Sequence, residues 1–296
     1  NRKILDHLLH QGFGFSEEAA DVAPVVDLVL EPSPTEAMIE RTLRPFGIEH
    51  PDQAYRHLQT LSVENTVFLS AHRCRHFLAS IVDQLMAEIA QTPDPDATLR
   101  ELSSVTDSIG AKAVLWELFR FQPNSMTLFV RLCASSGYLS EILRRRPGMI
   151  DDLVDSLWMQ QLPTLEWLEN NLKGLLRGAV EPGPIIHSFK KAMHIRIGVR
   201  DILGRDPVFQ THQALSDVAQ VCLESMTDAS LSRLEKKYAP AGALSGGGEG
   251  QPAFVILGLG KIGGREPNYH SDIDVIFLFD SDTQTPSQRT TSDQHF

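Results

Sequence analysis

An apolar run, Phe254–Val255–Ile256–Leu257, leads into the glycine-rich bend Gly258–Leu259–Gly260–Lys261–Ile262–Gly263–Gly264. A second apolar run, Val275–Ile276–Phe277–Leu278–Phe279, opens on Asp272–Ile273–Asp274. Only Gly264 to Ser271 separates bend from second run, Pro267 interrupts that stretch, and it has no apolar stripe to lay on a sheet. A crossover helix does not fit there, so two expected strands must be joined without a βαβ unit. This excludes the dinucleotide fold, although Gly258-x-Gly260-x-x-Gly263 spells its fingerprint and Asp280 lies near the place of a ribose-binding acid. A Walker A loop is excluded too, because Ile262 follows Lys261 where a metal-binding hydroxyl is needed.

What remains is a place for a triphosphate and its metal. Alternate residues of a strand share a face, so Asp272 and Asp274 are expected on one side and Ile273 in the packed layer. Two carboxylates completed by phosphate oxygens and waters suit Mg²⁺, which resists an all-protein cage. Glycines at 258, 260, 263 and 264 let the backbone take positive φ and let its N–H groups approach a phosphate chain without Cβ interference. Lys261 adds a compact cation for a phosphate oxygen.

Composition narrows the partners. The 296 residues carry 27 Lys plus Arg against 38 Asp plus Glu, a formal charge of −11, which argues against a broad footprint for nucleic acid or an anionic membrane. A protein substrate is easier to accommodate. Cys74, Cys133 and Cys222 are widely spaced, which reads as buried free thiols in a reducing cytoplasm and not as zinc ligands or a disulfide framework. No run reaches the length of a membrane span and no signal peptide is visible. The sequence begins at Asn1 and ends soon after the second run, so it reads as a fragment whose sheet continues beyond residue 296.

The patterning from about Thr35 to Tyr238 is helical. Phe68 to Ala90 shows a helical stripe around the basic cluster Arg73–Cys74–Arg75–His76, and Asp96 and Thr98 mark a helix start before Leu99, Leu102 and Val105. Gly137 reads as a C-cap, and Pro147–Gly148 precedes another helix through Ile150, Leu153 and Val154. Further helices are expected over 162–176, 185–203 and 212–237, with Glu181–Pro182–Gly183–Pro184 as one of the breaks. Residues 239–252 hold five glycines and read as a linker. The expected organisation is therefore mostly α: a tail of a preceding domain at 1–34, a helical bundle at 35–238, the linker at 239–252, and from 253 the first strands of an α+β domain cut off at 296.

Gly258-x-Gly260–Lys261-x-Gly263–Gly264-x-Glu266, then Asn268–Tyr269, then Ser271–Asp272-x-Asp274-x-Ile276–Phe277, resembles the nucleotidyltransferase signature of the glutamine synthetase adenylyltransferase family, within the DNA polymerase β superfamily. Phe189–Lys190, Arg196–Ile197, Asp201–Ile202, Gly204, Leu215–Ser216 and Ala219 are similar to the helical stretch that precedes this signature. Pro267 stands where the family has leucine.

The resemblance implies an enzyme that moves AMP from ATP to a tyrosine hydroxyl of glutamine synthetase, under a PII-type signalling protein. It implies that Asp272 and Asp274 hold Mg²⁺, that Gly260, Lys261, Gly263, Gly264 and Ser271 contact the triphosphate, and that a third carboxylate comes from a later strand. The family has an adenylyl-removing and an adenylyl-adding half. The helical sequence ahead of Phe189, with Leu143–Arg144–Arg145–Arg146–Pro147, looks like the junction into the adding half, and the removing half is the alternative. A non-catalytic helical docking module is the reading from another class. In that context Arg196 and Asp201 read as an ion pair or as helix-solvating charges, and the two arginine clusters as solvated faces or docks for an acidic partner.

Overall fold

Proline and short polar side chains start most of these helices, because the first turn lacks N–H partners and proline has no N–H to strand. The computed structural model describes residues 23–31, 33–64, 71–152, 161–238 and 254–279. The helices are α1 (Pro24–Leu30), α2 (Glu36–Leu43), α3 (Pro51–Ser62), α4 (Ala71–Ala90), α5 (Pro95–Ser108), α6 (Lys112–Phe121), α7 (Pro123–Ser135), α8 (Gly137–Arg145), α9 (Leu165–Leu176), α10 (Pro182–Ile202) and α11 (Val208–Tyr238). Strand β1 (Phe254–Gly258), the single turn α12 (Gly260–Gly263) and strand β2 (Val275–Phe279) follow. The mostly helical architecture with a small sheet agrees with the sequence reading, while Phe68, Leu153, Val154, the 239–252 linker and Asp280 lie outside the described residues.

Several boundaries differ for local reasons. The start of α5 is set by the Asp94 side chain, which accepts from Ala97 N, with Pro95 in the first turn. Asp96 instead accepts from the backbone N–H groups of Glu49 and His50, pinning the entry to α3. Gly137 is not a C-cap. Ser136 caps the start of α8 by accepting from Leu139 N, and glycine is simply its first residue. The Pro182–Gly183–Pro184 stretch is not a break either, since both prolines fall in the first turn of α10, where a missing N–H is harmless. Residues 24–30, grouped by sequence with the preceding tail, form α1, whose Val25, Leu28 and Val29 enter the main core.

Among the described residues two buried clusters hold the helices. The larger joins α1 to α8 around Leu43, Leu61, Leu85, Trp116, Phe119 and Phe129. The smaller gathers Leu168 and Leu172 of α9, Ile186, Phe189, Met193 and Ile197 of α10, and Leu215 and Val218 of α11. Helix α10 serves both, because its Ile195 and Val199 face the first cluster. A helix buried on two sides has no single apolar stripe, and its sequence shows none. Lys112 is fully buried, with Nζ donating to Thr60 O at 2.8 Å and to Asp107 Oδ1 at 2.9 Å. No helix among the described residues is long and apolar enough to cross a membrane.

The strands pair antiparallel, Phe254 opposite Phe279 and Gly258 opposite Val275. A hairpin of this kind needs no crossover helix, consistent with the short connection read from the sequence.

Candidate functional site

The antiparallel register brings the glycine bend against Asp274. The ladder continues one step beyond β2 through Leu259 N, which donates to Asp274 O at 2.8 Å. Gly260 then turns the chain with φ 52°, and a Cβ placed there would lie 3.1 Å from Asp274 Oδ2. Gly263 has a different need: a Cβ on it would fall 2.5 Å from the backbone oxygen of Gly258. Close approach makes both residues glycine. Of the four glycines only Gly260 uses the freedom of positive φ, and Gly264 sits at φ −79°.

Asp272 and Asp274 are both exposed just ahead of β2, and Lys261 is exposed in the α12 turn. Ile273 is 38% exposed and does not enter a packed layer, contrary to the strand-alternation argument, because the regular strand starts only at Val275. No cluster of three or more His, Cys, Asp or Glu side chains suited to a metal occurs among the described residues. Two exposed carboxylates two residues apart, Asp274 against the Gly260 turn, fit a hard cation that keeps waters and takes its other ligands from phosphate. Ser271 is engaged in a turn, its Oγ accepting from Asn268 N at 2.9 Å and donating to Asn268 Oδ1 at 3.1 Å. Gly264 continues directly from the α12 turn, so Gly260, Lys261, Gly263 and Gly264 form one backbone arc before the loop that leads to Ser271.

That loop is tied to the bundle. Arg265, itself at φ 55°, reaches α11, where Nε donates to Gln213 Oε1 and Nη1 to Gln220 Oε1, each at 3.1 Å, and Nη2 donates to Asp217 Oδ1. Burial pushes the Asp217 carboxyl above its ordinary value although Arg265 and Gln213 pull it back. Pro267 is buried, and Tyr269 donates to Asp201 Oδ2 of α10 at 3.1 Å. The Tyr269 ring stands 5.9 Å from His194 and 6.2 Å from Tyr138, and the Tyr138 hydroxyl shares a 2.9 Å hydrogen bond with His194 Nδ1. Burial, and then the charge of Lys190, lowers His194 to about 3, so the ring is neutral. Burial and the neighbouring Asp201 carboxylate push the Tyr269 phenol far above its ordinary range.

Asp201 therefore bonds to the hairpin loop and not to Arg196, which pairs with Asp152 at 3.2 Å and lies over the Trp167 ring. The arginine clusters are largely paired within the chain, Arg73 with Glu117 and Arg144 with Glu101 and Glu141. Sequence reasoning assigned no role to Arg265 or to the Tyr269–Asp201 bond. Tyr269 and Asp201 both belong to the resemblance, but their contact spans 68 positions and leaves no local signal.

A glycine turn set against Asp274, with Asp272 exposed beside it and the intervening loop tied to a helical bundle, resembles the arrangement expected of a nucleotidyltransferase. Residues 126–296 match the Glutamate-ammonia ligase adenylyltransferase family, and the chain belongs to that family. It is 28% identical over 212 residues to the bifunctional glutamine synthetase adenylyltransferase/adenylyl-removing enzyme of Thioalkalivibrio sulfidiphilus (strain HL-EbGR7), covering 70% of this chain and 22% of that protein. The protein of the same description from Pasteurella multocida (strain Pm70) is 26% identical over 291 residues, covering 96% of this chain and 29% of its own length. That from Nitrosococcus oceani is 24% identical over 251 residues, 82% of this chain and 26% of its own. The chain thus spans under a third of the length of these relatives.

Proposed function

We propose that the protein containing this chain transfers AMP from ATP to a tyrosine hydroxyl of glutamine synthetase in the cytoplasm, answering to a PII-type signalling protein, and that this chain supplies the helical region and the first strands of its adenylyl-adding half. The observation that carries this reading is the apposition of the Gly260 turn and Asp274 across the hairpin, a Cβ at 260 having only 3.1 Å to the carboxylate. The family and the names of its relatives support the activity class.

In this reading Asp272 and Asp274 hold Mg²⁺, and the backbone from Gly260 to Gly264, with Lys261 and Ser271, lines the triphosphate. The bound ion supplies charge neutralisation for the phosphate oxygens as pyrophosphate leaves. The chain's own groups orient the nucleotide: glycine N–H groups accept no side-chain crowding, and Lys261 offers an ammonium. The tyrosine oxygen attacks the α-phosphorus, the bond from that phosphorus to the β-phosphate bridging oxygen breaks, and the hydroxyl proton leaves to solvent or base.

Asp272→Asn and Asp274→Asn in the full-length protein are expected to abolish labelling of glutamine synthetase from radiolabelled ATP. Retained labelling together with retained phosphate-dependent release of AMP overturns the assignment of these carboxylates. The relatives' bifunctional description favours one second reading, the adenylyl-removing half. If it holds, the same variants lose phosphate-dependent release of AMP from modified glutamine synthetase and keep labelling from ATP.

A further inference from the structure

The loop from Gly264 to Ser271 is short and polar, yet two of its side chains reach across to different helices of the bundle. Gln213, Asp217 and Gln220 are spaced by four and three residues, so they line one face of α11. The Arg265 guanidinium spreads its donors over all three, a planar fork matched to three fixed acceptors. Gln213 Nε2 also donates to Asp217 Oδ1 at 3.2 Å, which holds the acceptor row together. Arg265 takes this pose at φ 55°, a left-handed backbone that a non-glycine residue adopts at a penalty of roughly 1 kcal/mol or more. The left-handed residue closes the preceding turn, with Arg265 N donating to Ile262 O and Glu266 N to Lys261 O, and the side-chain bonds to α11 add to what holds it. Four residues on, Tyr269 is held by Asp201 of α10 and by the rings of His194 and Tyr138. Asp272 follows three residues after this second anchor.

We propose that Arg265 and Tyr269 are positioning residues that tie the loop carrying Ser271 and Asp272 to α11 and α10, so that the helical bundle sets the pose of the carboxylates against the glycine turn. The catalytic part of this statement rests on the nucleotidyl transfer proposed above. The anchoring part does not.

The test is hydrogen exchange by mass spectrometry on the full-length protein, alongside steady-state AMP transfer. Arg265→Ala is expected to speed exchange of amides 266–274 by about tenfold or more, with β1, β2 and the helices unchanged, because loop opening no longer breaks three hydrogen bonds. Its kcat should fall by about tenfold or more while KM for ATP moves less than about threefold, since small misplacement is felt most in the transition state. Arg265→Lys, which keeps the charge but not the fork, should restore part of both. The paired change Gln213→Ala with Gln220→Ala should reproduce the loop exchange without altering the loop. Tyr269→Phe removes only the hydroxyl and should raise exchange around 269–274 severalfold; it decides the matter if Arg265→Ala loses helix protection globally. Unchanged loop exchange in Arg265→Ala and Tyr269→Phe overturns the anchoring, and raised exchange with unchanged kcat overturns the positioning role. A wild-type protein that transfers no AMP refutes the proposed function instead, and loop exchange alone then judges the anchors.

Discussion

Replacing His194 with Gln should flatten part of the pH dependence of stability. His194 is 5% exposed, sits between Tyr138 and Tyr269, and is lowered from 6.5 to about 3 by burial and by Lys190. In the unfolded chain it regains its ordinary value, so below about pH 6.5 the unfolded state binds a proton that the folded state refuses. The stabilisation is thus complete above the unfolded value and is lost as pH falls toward the folded one. The slope is about 1.4 kcal/mol per pH unit, which between about pH 8 and about pH 4.5 amounts to roughly 2 to 3 kcal/mol. Gln cannot titrate, so subtracting its urea-unfolding free energies from those of the wild type cancels the contributions of every other group. With a urea slope of about 2 to 3 kcal/mol per molar, the midpoint difference between the two proteins should change by about 1 M across that range. Proton NMR of His194 checks the cause directly, with the ring staying neutral down to about pH 4.5. A His194 resonance that titrates near 6.5, or a wild-type minus variant difference that is flat with pH, refutes the reasoning.

Gly263→Ala drives a Cβ to 2.5 Å from Gly258 O, and relieving an overpacked contact of this kind takes about 1 to 3 kcal/mol, so Mg²⁺–ATP affinity of the full-length protein should drop on the order of ten- to a hundredfold by calorimetry. Lys112→Met keeps the buried stem but leaves Thr60 O without its 2.8 Å donor; denaturant unfolding should show a loss of about 1 to 3 kcal/mol, while half-exposed Asp107 rehydrates. Burial pushes Cys74 and Cys222 up to about 11 and Cys133 higher still, so native thiols should react with a disulfide reagent about two orders of magnitude more slowly than free cysteine, and all three should react once the chain is unfolded.

The chemistry-bearing part of the chain was legible because its signals are local. Apolar runs, glycines and paired aspartates lie within 254–279, and the short connection between runs already ruled out a crossover helix. Helix existence was legible for the same reason, through apolar spacing over α4, α5 and α7. Boundaries were not, because they depend on one capping atom: Asp94 outcompetes Asp96 at α5, and Ser136 decides what Gly137 is. The strand-alternation argument failed at Ile273 because pairing, and not composition, decides where β2 begins. Arg265 was illegible in a stronger sense. Its left-handed backbone closes the α12 turn locally, with Arg265 N donating to Ile262 O and Glu266 N to Lys261 O, but its side-chain partners Gln213, Asp217 and Gln220 lie 45 to 52 positions away and leave no mark near it in sequence.

The same long-range contacts explain why two separate stretches of sequence carry the family resemblance. Helix α10 presents Ile195 and Val199 to one core and Phe189, Met193 and Ile197 to the other, so its rotation about its own axis is fixed from two sides. That rotation places Asp201 beneath Tyr269 and His194 against its ring. Helix α11 shares the second core through Leu215 and Val218, which in turn orients Gln213, Asp217 and Gln220 toward Arg265. A two-stranded ribbon is marginal by itself, and these helices add anchors to a loop otherwise held by its own local turns. The helical stretch and the glycine–aspartate segment are therefore one physical unit, and a substitution that rotates α10 or α11 should disturb the carboxylates without touching them.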